Sequence, residues 1–180
     1  MSLREYCKDL HTEAEKTIFA KKLVKGDLTK EEYATYLYNM LAVYDPIEFY
    51  CKHQGMLKNL KGIERIGKIY QDFLELEEEG EAYYLTPNTV DYHTYLINLG
   101  NDPERRPLIK AHMYVRHMGD LFGGQYIAKA VPGSGKFYEF DDVEGLKTSI
   151  RQELTDDLGD EARVAFEWAI KIMKDLGGEK

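Results

Sequence analysis

Apolar residues recur at steps of three and four through nearly every stretch of this chain, and no pair of alternating runs flanks an Asn-Gly or Asp-Gly turn. That spacing gathers side chains on one face of a helix, whereas a half-buried strand needs a period of two. The chain is therefore expected to be an all-α, single-domain multi-helix bundle covering residues 1–180. Leu3, Cys7, Leu10, Ala14 and Ile18 form the stripe of a first helix running from about residue 2 to 22. The break at Gly26-Asp27-Leu28 is followed by Thr29, with Glu32 three residues on, a capping box that starts a second helix. Pro46 is expected to kink or interrupt it. Further helices are expected over 64–79, 88–99 (closed by Gly100 as a C-cap), 107–130, 142–154 and 160–176, with residues 137–140 as a short extended piece.

Two segments do not fit a plain bundle. In the first, His11 lies at the edge of the N-terminal stripe, with Glu15 at i+4 on the same face. A metal-ligating histidine usually gives its second ring N–H to such an acceptor, although the same pair occurs on ordinary amphipathic helices. Arg4 and Lys8 lie at i−7 and i−3, and two helical turns reach roughly 10.5 Å, far enough to pair with acidic groups at the edge of a large ligand.

In the second, Gly119, Gly123 and Gly124 interrupt an otherwise good helix that resumes at Tyr126 and Ile127. Each costs about 1 kcal/mol relative to alanine. Gly119 and Gly123 share a face without side chains, which suits close approach of a flat ligand or of another backbone. Asp120 lies about 100° round from that face, positioned to organise water or simply to be solvated. No phosphate-loop or dinucleotide pattern is present.

The formal net charge of −8 argues against a nucleic-acid partner. No stretch has the length and apolarity of a membrane span, and the two cysteines, Cys7 and Cys51, imply no disulfide framework. The expectation is a soluble, unanchored cytoplasmic protein with reduced thiols.

His11-Thr12-Glu13-Ala14-Glu15 and Tyr114-Val115-Arg116-His117-Met118-Gly119-Asp120-Leu121-Phe122-Gly123-Gly124-Gln125 resemble the proximal and distal segments of the heme oxygenase family, in the right order and at the right separation. The resemblance implies heme held between a proximal N-terminal helix and a kinked glycine-rich distal helix. It implies His11 as iron ligand and Glu15 as the acceptor beside it. Arg4, Tyr114, Lys147 and Arg151 become contacts to the propionates, and Gly119 and Gly123 the backbone lying on the heme. Asp120 and Tyr44 become members of a distal water network. The implied reaction consumes heme, dioxygen and external electrons from a ferredoxin-like donor. It yields biliverdin (IX alpha expected), carbon monoxide and ferrous iron, with a downstream bilin reductase as a further partner. The chain departs from the family pattern at Phe122, where serine is usual, and at His117, where tyrosine or phenylalanine is usual; His117 is near enough in sequence to reach a heme. Two alternatives stay open: a non-catalytic heme carrier or sensor, and a thiaminase-like helical enzyme using Cys51.

Overall fold

The computed structural model describes residues 2–180, and among them no strand occurs. Nine α-helices follow in order: α1 (Leu3–Tyr6), α2 (Lys8–Lys16), α3 (Ile18–Lys25), α4 (Lys30–His53), α5 (Ile66–Leu76), α6 (Pro87–Asn101), α7 (Ile109–Ile127), α8 (Val143–Glu153) and α9 (Gly159–Leu176). None is long and apolar enough to cross a membrane. Helix α4 is the inner hub. It packs against α5, α6 and α7, and its Tyr33, Leu37, Met40, Val43, Tyr44, Ile47 and Cys51 are all buried. Helix α9 is the second hub, with α2, α3, α6 and α7 against it. A small satellite core of Leu3, Cys7, Ala111, Val115, Leu158, Ala162 and Ala165 joins α1, α7 and α9.

Several local signals act as the sequence suggests. The Thr29 hydroxyl accepts from Glu32 N while Glu32 Oε2 accepts from Thr29 N, and Gly26 closes α3 in the left-handed region at φ 76°. Other expectations need correction. The first helix is three helices, broken at Cys7 and at Thr17. Thr17 turns extended, donates to Ala14 O and accepts from Ala20 N, so one hydroxyl ends α2 and caps α3. Residues 136–138 form a 3-10 turn, not an extended piece, because the Asp72 carboxylate of α5 accepts from both Lys136 N and Phe137 N.

Gly100 is not a cap. It lies inside α6, where a built Cβ would sit 2.3 Å from the Tyr50 ring, so the residue is small to let α4 and α6 approach. Helix α4 also runs on through Pro46 without interruption. A proline there leaves the carbonyl four residues back without its helical donor. The Ala42 carbonyl instead receives His93 Nδ1 of α6 at 2.7 Å. A side chain from the neighbouring helix thus satisfies the group that Pro46 orphans.

Candidate functional site

The N-terminal candidate, His11, lies on α2, a helix that buries none of its own residues. Polar contacts hold α2 on α9: Arg163 grips both Asp9 carboxylate oxygens at 2.8 and 2.7 Å, and Lys174 pairs with Glu13 at 3.2 Å. His11 is left with its side chain 58% exposed. Its Nδ1 stands 3.6 Å from Glu15 Oε1, too long for a settled hydrogen bond and within reach of one after a small side-chain turn. Its ring meets Phe166 of α9 edge-on, with centroids 5.9 Å apart. Nε2 has no partner among the described residues, so the nitrogen that would bind a metal is free.

Helix α7, which like α2 packs on α9, carries the glycine run and stays helical through all three glycines. Their surroundings separate them. A Cβ built on Gly119 meets nothing within 4 Å, and one on Gly123 meets only Ile127 Cδ1, on its own helix, at 3.6 Å. A Cβ on Gly124 would press to 2.8 Å against the Tyr138 ring. Close packing therefore explains Gly124, while Gly119 and Gly123 form an open floor that neighbouring side chains do not fill. Such a floor accepts a flat group at backbone distance, which fits a porphyrin face.

Behind the floor, Asp120 is buried, so it is not a solvated surface carboxylate. Burial pushes its carboxyl up to about 6, against the opposing pull of His117, Arg65 and Arg116 and of the hydrogen bond from Tyr44. The Tyr44 hydroxyl donates to Asp120 Oδ2 at 2.6 Å. Burial and the Asp120 charge hold that phenol well above its ordinary range, so it stays protonated as the donor. Arg116, one turn before Asp120 on α7, is buried with Nε and Nη2 unpartnered, its guanidinium 5.4 Å from the centre of the Tyr92 ring. Sequence reading passed over Arg116, although its i−4 spacing from Asp120 puts both on one face. Orphaned donors beside a buried carboxyl suit water or a polar guest.

His117 does not face the open side, which corrects the expectation that it could reach a ligand. Its Nδ1 lies 3.1 Å from the Met113 carbonyl and its Nε2 2.9 Å from Glu48 Oε1 of α4. The same Glu48 accepts from Arg65 N and Ile66 N at the start of α5, so its carboxylate is occupied on both oxygens.

The remaining polar candidates gather at one rim. Burial raises the half-buried Tyr114 hydroxyl, and Arg4 and Arg151 lie near enough to pull it back. Lys147 and Arg151 of α8 both stand over the Phe122 ring. Residues far apart in sequence, on α1, α7 and α8, are thereby brought to a common edge.

A sequence model of the family described as heme oxygenase matches residues 1–175. A heme oxygenase of Porphyra purpurea is 30% identical, covering 97% of this chain and 84% of that one. Heme oxygenase 1 of a Nostoc strain is 29% identical, covering 98% and 84%. Among solved structures, heme oxygenase-1 of Synechocystis in complex with heme superposes with a TM-score of 0.82 at 26% identity, covering 98% of this chain and 90% of that one. The heme oxygenase of Leptospira interrogans gives 0.81 at 26% identity, covering 96% and 98%. With a family match across nearly its whole length, this chain belongs to the heme oxygenase family.

Proposed function

We propose that this chain opens the heme macrocycle, using dioxygen and external electrons to yield biliverdin IX alpha, carbon monoxide and ferrous iron. The observation that carries the reading is the open Gly119–Gly123 floor backed by the buried Asp120–Tyr44 pair. A carrier needs only the floor, whereas a buried carboxyl near 6 beside a protonated phenol is suited to moving a proton near neutral pH.

His11 Nε2 would hold the iron, with Glu15 taking the Nδ1 proton and so fixing the tautomer. Arg4, Tyr114, Lys147 and Arg151 would bind the two carboxylates. Gly119 and Gly123 confine the opposite face with backbone alone. Bound heme supplies the metal centre that activates dioxygen and is also the carbon skeleton that is cut. Asp120 holds a proton behind the floor; Tyr44 occupies Oδ2 and leaves Oδ1 for a water that carries the proton forward. Electrons come from a ferredoxin-like carrier, since no flavin or nicotinamide motif is present, and a bilin reductase would consume the product. The setting is cytoplasmic, consistent with two free cysteines. The thiaminase-like alternative is disfavoured because Cys51 is buried and its thiol is pushed up to about 12, leaving no thiolate nucleophile.

The test is optical. Hemin is titrated into the protein and the Soret band recorded, then ferredoxin, its reductase and NADPH are added in air. Decay of the Soret with growth of a bilin band is expected. Stable heme would overturn the catalytic reading in favour of a carrier. His11→Ala should lose the proximal bond, while Asp120→Ala should keep heme and lose bilin formation.

A further inference from the structure

We infer that Phe122 is a positioning residue that sets the rotation of the porphyrin within its plane, and with it the carbon bridge that is cut. The inference rests on the heme-cleaving reading above. Phe122 is 47% exposed on a helix whose other large apolar side chains up to that point are buried or half-buried. It immediately precedes Gly123 and follows Gly119 by three, so it leaves α7 in the same turn as the open floor. Solvent exposure of a phenylalanine on helix α7 gives the fold nothing in return; two cations give the ring its role. The Lys147 ammonium lies 4.2 Å from the ring centre and the Arg151 guanidinium carbon 5.6 Å. Lys147 is also tied to Glu144 at 2.8 Å, and its side chain is only 12% exposed. Lys147 and Arg151 are i and i+4 on α8, so one ring from α7 faces both.

A flat dianion on the glycine floor would meet these cations along its carboxylate-bearing edge. Their positions therefore decide how far the plate is rotated when its charges are paired. Attraction between each cation and the ring face holds them in one arrangement before the ligand arrives. A serine at 122 would lack that attraction: Lys147 would follow Glu144 alone, and Arg151 would point to solvent.

The experiment compares wild type, Phe122→Ser, Phe122→Leu and Phe122→Tyr, each first confirmed as folded by circular dichroism. Proton NMR of the hemin complex in its ferric, cyanide-bound form reports rotational seatings as separate sets of shifted methyl resonances, without any turnover. Chromatography of the bilin product then reports which bridge was cut. Wild type and Phe122→Tyr should show one principal seating and one principal isomer. Phe122→Ser and Phe122→Leu should weaken the preference by about two- to five-fold, the equivalent of one exposed cation–ring contact, with a second isomer appearing. Leucine keeps bulk without the ring, so it remains decisive if the serine variant fails to fold. Wild-type resonances and isomer ratio in either variant would overturn the inference while leaving the function standing. A wild type that binds no hemin would remove both.

Discussion

Gly119, Gly123 and Gly124 share one helix, yet only Gly124 is needed by the fold. In the ligand-free protein Gly119→Ala should raise stability by up to about 1 kcal/mol, the helix-propensity gain, because its methyl meets nothing. Gly124→Ala should instead cost about 1–3 kcal/mol through overpacking against Tyr138. Urea denaturation of the two variants reads the difference, and hemin affinity should fall for the stabilised one. Asp120 makes a second residue-scale case. Its folded carboxyl titrates near 6, above the ordinary 3.8, so over that interval the native state binds more protons than the unfolded chain. Stability from this group is therefore full below about pH 4 and is lost as pH rises through 6. Asp120→Asn should be more stable than wild type at pH 7.5 by up to about 3 kcal/mol, with the gap closing below pH 4. Equal urea midpoints at both pH values would refute the burial cost. The identity of these residues as candidates was legible in the sequence. The division of labour among the glycines was not, since it depends on Tyr138, and the burial of Asp120 depends on α4.

At the scale of elements, helix existence followed from periodicity, and breaks followed from chemistry that periodicity does not carry. The apolar stripe from Leu3 to Ile18 continues across Thr17, yet one hydroxyl engaged on both sides outweighs it. Pro46 shows the converse, because His93, 51 residues beyond the orphaned Ala42 carbonyl, removes the cost of a helix-interior proline. A double-mutant cycle tests this. His93→Ala should cost about 1–3 kcal/mol, the penalty for leaving the Ala42 carbonyl unsatisfied. In a Pro46→Ala background the restored N–H can serve that carbonyl, and the same change should cost at least about 1 kcal/mol less. Additive effects would show that His93 does not substitute for the missing donor.

Across the whole molecule, buried polar side chains tie the helices that carry the site. Glu48 joins α4 to the start of α5 and to His117 of α7. Glu161 of α9 accepts from Tyr95 of α6 and from His112 of α7, whose other nitrogen meets the Tyr92 hydroxyl at 2.7 Å. Glu161→Ala should destabilise by about 2–4 kcal/mol, because buried partners lose their acceptor at once. Glu161→Gln should cost less, since its amide oxygen still accepts, and chemical denaturation ranks the two. Helix content, the break at Gly26, the cap at Thr29 and the two motif segments could be read from the chain because they depend on local spacing. The burial of Asp120 against Tyr44, the turning of His117 toward Glu48 and the continuity of α4 could not. Each depends on a partner 51 to 76 residues distant, which only packing of α4, α6 and α7 brings within hydrogen-bond reach.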